Sequence, residues 1–197
     1  ECPWPSALHT AATFGHFEMC KLILDTLEEK NPRSKTQGSI LHIAACYNYQ
    51  KLFEFVFHQV EEKDPVGGYT YRLKHGLRFE WGVQNSDHWT PLHYSVANGH
   101  YEISKLIIDE IEIKNPKTPS GWTPLHCASK VELCQLILEQ VIDKNPETKY
   151  GETPLSLAAK SGNVEKFKLF LDLSEDKNPR RKLGCGFTPF DYAVRHR

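Results

Sequence analysis

A tripeptide of Lys, then Asn or Asp, then Pro recurs five times in this chain. It reads Lys30-Asn31-Pro32, Lys63-Asp64-Pro65, Lys114-Asn115-Pro116, Lys144-Asn145-Pro146 and Lys177-Asn178-Pro179. The prolines stand 33, 51, 30 and 33 residues apart. The period is therefore 33, with one 18-residue insertion and one three-residue deletion. A unit of that length cannot bury a hydrophobic face alone, so it stacks on its neighbours.

Two further motifs keep the same beat. Thr90-Pro91-Leu92-His93, Thr123-Pro124-Leu125-His126, Thr153-Pro154-Leu155-Ser156 and Thr188-Pro189-Phe190-Asp191 are clear copies, with worn ones at Ser6-Ala7-Leu8-His9 and Ser39-Ile40-Leu41-His42. Gly15-His16-Phe17-Glu18 is matched by Gly99-His100-Tyr101-Glu102 and more loosely by Gly162-Asn163-Val164-Glu165. Thr is a good N-cap, its hydroxyl accepting from an orphan amide of the first turn. Proline follows at N1, where a missing N–H costs nothing. A short helix rich in Ala comes next, and Gly permits the left-handed turn that ends it. The second helix is amphipathic, as in Glu18-Met19-Cys20-Lys21-Leu22-Ile23-Leu24, with apolar residues at i, i+3 and i+4.

Three phased motifs at 33 residues over the whole length are specific, and the chain resembles the ankyrin-repeat family. That resemblance implies an all-α repeat solenoid of helix-turn-helix units with β-hairpin fingers and no continuous sheet. The chain reads as a single ankyrin-repeat domain over 1–197, divided into repeats at about 1–33, 34–84, 85–117, 118–147, 148–180 and a partial 181–197. Neither end looks like a polar capping repeat, so a segment of a longer array is expected. One departure from the family is systematic. The usual glycine after the second helix is replaced by Leu27, Val60, Ile111, Val141 and Ser174. Val and Ile are costly in a left-handed cap, so the second helix is expected to run about one turn further, to the Asn/Asp-Pro.

The insertion spans roughly residues 66–84. Tyr69-Thr70-Tyr71-Arg72-Leu73 alternates, Lys74-His75-Gly76 reads as a turn, and Leu77-Arg78-Phe79-Glu80-Trp81 alternates again. This is a hairpin pattern, a long finger with Tyr69, Tyr71, Phe79 and Trp81 on one face and Arg72 and Arg78 on the other.

Chemistry-bearing residues are sparse. His9, His42, His93 and His126 fall one per repeat, too far apart for one coordination sphere, and the resemblance gives this His a backbone-bonding role. No metal or cofactor site is expected. Nucleotide, zinc-protease and serine-hydrolase motifs are missing, so no catalytic residue is assigned and the chain reads as no enzyme. Cys2, Cys20, Cys46, Cys127, Cys134 and Cys185 form no C-x-x-C pair and read as mostly buried free thiols of a reduced compartment, cytoplasmic or nuclear.

Binding residues follow from the family pattern. Finger positions hold Trp89, Trp122 and Tyr150, and first-helix ends hold Phe14, Tyr47 and Asn98. In ankyrin domains such positions line the concave groove, and aromatic anchors typify binding hot spots. The expected function is a non-catalytic protein–protein interaction scaffold, monomeric by itself, gripping another protein with its concave face and extended finger. Two alternatives stand beside it. One is a ligand- or nucleic-acid-sensing domain using Arg72, Lys74, Arg78 and the run Arg180-Arg181-Lys182; the net charge of −1 argues against it. The other is the regulatory segment of a larger enzyme or channel. No apolar run is long enough to insert in a membrane.

Overall fold

The computed structural model describes residues 6–34, 38–67, 88–174, 176–178 and 188–195. They form two compact units, Glu1–Glu112 and Ile113–Arg197.

In the first unit the elements are α1 (Ala7–Thr13), α2 (Phe17–Thr26), β1 (Arg33–Ser34), β2 (Gly38–Ser39), α3 (Ile40–Tyr47), α4 (Gln50–Phe57), α5 (Pro91–Asn98) and α6 (Tyr101–Glu110). First helices α1, α3 and α5 pack in sequence, as do second helices α2, α4 and α6. Strands β1 and β2 are a short antiparallel finger, Arg33 opposite Ser39 and Ser34 opposite Gly38. The second unit holds α7 (Pro124–Cys127), α8 (Val131–Leu138), α9 (Pro154–Ser161), α10 (Val164–Leu173) and α11 (Pro189–Arg195). There α7 packs on α9, α9 on α11 and α8 on α10. Helices of four to ten residues are marginal in water alone. The ankyrin-type helical repeat expected from the period is what forms, and among the described residues β1 and β2 are the only strands.

The recurring tripeptide ties one repeat to the next. Its Lys folds back onto the helix it follows: Lys30 Nζ donates to Leu24 O at 2.6 Å, and Lys63 Nζ to Phe57 O at 2.6 Å. Lys144 reaches Leu138 O and Lys177 reaches Leu171 O in the same way. A cation at a helix C-terminus satisfies carbonyls that no further turn supplies, and it complements the dipole. The Asn or Asp points forward. Asn31, Asp64, Asn115, Asn145 and Asn178 accept from the amides of Leu41, Leu92, Leu125, Leu155 and Phe190, at 2.9–3.2 Å. One short segment thus ends a second helix and starts the next first helix.

This clamp corrects the expected helix lengths. The second helices stop at Thr26, Phe57, Glu110, Leu138 and Leu173, and none runs on to the Asn/Asp-Pro. Leu27, Ile111 and Ser174 adopt extended backbone, with ψ of 142°, 151° and 133°. An extended cap avoids the left-handed region that Ile resists without adding a turn.

The three-residue deletion shortens α7 to four residues. Elsewhere the residue opening a second helix bonds back to the previous repeat: Tyr49 Oη donates to Thr13 O, and His100 Nε2 to Cys46 O. For the shortened repeat, Lys166 of the repeat that follows takes over this role and donates back to Ala128 O. Lys166 occupies the register that Leu52, Ile103 and Leu133 fill as core residues. Burial pushes its ammonium down, and its long stem replaces the aliphatic contact.

Asp64 is the one carboxylate among the five clamp positions. Burial pushes it up to about 7, against the bonds from Thr90 and Leu92. The folded state holds that proton more tightly than the unfolded chain, so stability is lost as pH rises from the ordinary carboxylate range through about 7. Asp64→Asn keeps the acceptor and removes the titration. It is expected to stabilise the fold by about 1 kcal/mol or more at pH 8 and to change little at pH 4. Thermal melts at both pH values check this, and an equal effect at both would contradict it.

Candidate functional site

Both nitrogens of His42 and His126 are engaged by backbone, and Nδ1 of His93 accepts from Thr90 N–H at 3.2 Å. The amides of Ser39 and Thr123 donate to Nδ1 of His42 and His126, at 3.1 and 3.2 Å, with the N-cap hydroxyls 2.8 Å from the same nitrogens. That places the ring proton on Nε2, which donates to Trp89 O at 3.1 Å and to Glu152 O at 3.2 Å. At His9 the Ser6 hydroxyl lies 2.7 Å from Nδ1 and Nε2 bonds to Pro32 O at 3.2 Å. The ring is a capping-box partner on one side and a bond to the next finger on the other. In the later repeats Ser156 and Asp191 keep only the cap, exchanging bonds with Thr153 and Thr188. A histidine spent in this way offers no lone pair to a metal.

Burial pushes His42 and His126 down to about 4. It pushes the Cys46 thiol up to about 12, Cys134 up to about 11 and Cys127 further in the same direction. Cys20, Cys46, Cys127 and Cys134 are buried free thiols, held as neutral apolar groups rather than nucleophiles.

The aromatic residues separate into two sets. Trp89 and Trp122, expected to line the concave groove, are buried at 3% and 5% exposure. Trp89 stacks on His93 at 5.7 Å and meets Tyr94 edge-on at 5.1 Å, and Trp122 lies 5.5 Å from His126. Each indole covers its own capping histidine, an arrangement that a count of aromatics along the chain does not distinguish from a groove lining. Tyr150, in contrast, is 52% exposed. It lies on a finger turn closed by Thr148 N–H to Glu152 O at 2.9 Å, and that turn bonds to its neighbour through Lys149 N–H to Ser120 O at 2.9 Å.

In the first unit the ends of the first helices carry a continuous ribbon. Phe14, 63% exposed, stacks on His16 with centroids 6.1 Å apart. Tyr47 stacks on Tyr49 at 5.8 Å. The two pairs are joined because the Tyr49 ring lies on Gly15, where a Cβ would come within 2.8 Å of it. Asn98 continues the line, donating to Tyr94 O at 2.9 Å and standing 4.0 Å from Cys46 Sγ. His16 and Tyr49 were missed by sequence reasoning. Their signal was the position after the helix-ending Gly or Asn, which faces the same side.

The insertion leaves and re-enters at an ordinary finger. Gly67 N–H donates to Trp89 O at 3.3 Å, where Thr118 N–H donates to Trp122 O at 2.8 Å. Three residues separate the second pair and twenty-one the first. Arg33 braces the neck, donating to Val66 O at 3.0 Å and pairing with Glu62 at 2.7 Å. His88 precedes Trp89 with φ of 71°, where the matching fingers place Gly121 and Gly151 at 87° and 73°. Residues 68–87 lie outside the described residues, and with them Tyr69, Tyr71, Arg72, Arg78, Phe79 and Trp81, as do Arg180, Arg181 and Lys182.

Two outcomes follow. The low histidine pKa values mean that the unfolded chain binds more protons between about 6.5 and about 4. The contribution of these rings is full above that window and falls as the pH drops through it, by about 3 kcal/mol for each ring. Urea titrations from pH 7 to 4 measure the slope, and an unchanged midpoint would contradict the assignment. His88→Gly relieves a left-handed side-chain residue and is expected to stabilise by about 0.5–1 kcal/mol in the same assay; a loss would show that His88 makes a compensating contact.

Among the described residues no helix is long and apolar enough to cross a membrane. A stretch of 48 residues is 44% identical to a transient receptor potential cation channel subfamily A member 1 homolog of Caenorhabditis elegans. It covers 24% of this chain and 4% of that protein. A family model of ankyrin repeats matches three times, over residues 3–65, 69–148 and 129–197. With the 33-residue period, the stacked helix pairs and the His-capped first helices, these matches place the chain in the ankyrin-repeat family.

Proposed function

We propose that this chain is a non-catalytic protein-interaction scaffold. It grips a protein partner with the Phe14–Tyr47–Asn98 ribbon of its first unit and with the 66–84 finger, and Tyr150 serves as a separate contact in the second unit. The ribbon carries the reading. Phe14 is exposed and Tyr47 half-buried, and rings held on fixed helix ends supply contact area with little ordering entropy, which is the chemistry of binding hot spots. His42 and His126 are held neutral and bonded to backbone, and the thiols of Cys20, Cys46, Cys127 and Cys134 are neutral and buried. Such a scaffold acts as a monomer and without a cofactor, in the cytoplasm or nucleus.

The similarity to part of a channel homolog supports a second reading, in which the array is the regulatory segment of a larger channel. The complete open reading frame distinguishes them, since this second reading requires a block of transmembrane helices outside the array.

Affinity capture followed by calorimetry with the purified partner tests the scaffold. Phe14→Ser and Tyr47→Ser are each expected to weaken binding about tenfold or more, roughly 1.4 kcal/mol, while Phe14→Ser leaves the melting temperature nearly unchanged because its ring is exposed. Deleting residues 68–87 is expected to weaken binding with the fold intact, since loop length changes stability slowly. Unchanged affinity in all three variants would remove the ribbon and finger from the interface. A deletion that lowers the melting temperature while preserving affinity would make the finger a brace.

A further inference from the structure

One side chain of the second unit places an amine where the earlier repeats place apolar groups. Lys166 stands on α10 in the register that Leu52, Ile103 and Leu133 fill as buried core residues. Its side chain is half-buried, and its Nζ donates to Ala128 O at the end of α7. The backbone beneath it is fixed, because Asn163, the N-cap of α10, accepts from the Lys166 amide at 3.0 Å. In the first unit the same kind of tie comes from a phenol and an imidazole, Tyr49 Oη to Thr13 O and His100 Nε2 to Cys46 O. Those donors need no charge to make the bond.

The surroundings of Lys166 do not suit a cation. The ionisable groups acting on it are the thiols of Cys127 on α7 and Cys134 on α8, and burial holds both neutral. No carboxylate pairs with it among the described residues. The four residues of α7 are too few for an appreciable dipole at its C-terminus. A half-buried ammonium without a counter-ion costs desolvation that no neighbour offsets, and burial pushes it down. The site therefore favours a neutral nitrogen that still carries an N–H. A secondary amide meets both conditions, whereas methylation keeps the charge and a neutral imine has no N–H. Ala128 is followed by Ser129 and Lys130, both exposed, so the acceptor lies beside open surface.

We infer that Lys166 is an acylation site, whose amine takes an acyl group from a thioester and whose amide N–H then keeps the bond to Ala128 O. The ammonium first gives one proton to water. The free amine attacks the thioester carbonyl, the C–N bond forms as the C–S bond breaks, and a second proton leaves with the thiol. The remaining N–H donates to Ala128 O. A desolvated lysine is an activated amine nucleophile, and the amide ties α10 to the shortened repeat without burying a charge.

Acetyl-coenzyme A is the probe. The 197-residue chain is incubated with it at pH 7, and peptide mass spectrometry follows each lysine, with Lys168, exposed on the same helix, as internal reference. Lys166 is expected to be acetylated about threefold faster or more. That advantage is expected to shrink as the pH rises toward the ordinary lysine range. A chain carrying acetyl-lysine at position 166 is expected to melt about 2–4 °C higher than the unmodified chain, and one carrying it at position 168 to shift by about 1 °C or less. Equal rates at the two lysines would overturn the inference, because the Lys166 amine would then be either unactivated or out of reach. So would a melting temperature that stays level or falls with acetyl-lysine at position 166, which would show that the amide loses Ala128 O or lacks room.

Discussion

The array depends on one two-sided clamp. A Lys that satisfies the carbonyls of one helix is followed directly by an Asn or Asp that satisfies the first-turn amide of another. Each bond alone is worth about 1 kcal/mol, somewhat more where the ammonium donates. The consequence is larger than that sum, because both helices of a repeat are too short to persist without tertiary support. Proline immediately after the clamp keeps the Asn or Asp out of helix, so the side chain is aimed forward. Spacing between repeats is then set by the reach of two side chains over a three-residue segment. This is why neither the 18-residue insertion nor the three-residue deletion disturbs the register: Asp64 still caps Leu92 and Asn145 still caps Leu155.

The histidines show the same economy of polar groups in the interior. An N-cap hydroxyl alone would leave the N-cap amide buried without a partner and the next finger's carbonyl with one bond fewer, and a buried donor is expensive to leave unmade. Imidazole can serve both because it carries a donor and an acceptor on opposite sides of one rigid ring. Its service requires neutrality. Protonation would place a second donor against the amide of Ser39 or Thr123, which explains structurally why the interior tolerates these rings only as bases pushed well below their ordinary range. Trp89 and Trp122 then belong to the cap, since each indole covers the ring beneath it.

Much of the fold was legible because it rests on periodic, local chemistry. Thr-Pro-Leu-His announces an N-cap, an N1 proline and a buried partner for the cap, and the six phased copies place every first helix. What failed to be legible rests on alternatives with the same composition. At Leu27 and Ile111 a choice between longer helix and left-handed cap omitted the extended cap, which costs a β-branched residue nothing. At Trp89 and Trp122 the sequence shows an aromatic in the finger but not whether the ring turns inward over histidine. The ribbon was partly visible as Phe14, Tyr47 and Asn98; the contribution of Tyr49 depends on its ring lying across Gly15, a contact between repeats that no single-repeat pattern contains.

The insertion neck carries this reasoning toward function. A finger turn needs one residue with positive φ, and glycine supplies it at Gly121 and Gly151. At the insertion His88 adopts the same conformation at a cost of roughly 1 kcal/mol. The strain is held because the next residue is fixed from two directions: Trp89 O accepts from Gly67 N–H and from His42 Nε2, and its indole is buried over His93. Anything carried between Gly67 and His88 is therefore presented from a closed, rigid base rather than from a slack loop. The strain at His88 is the local consequence of keeping the finger-sized neck closed.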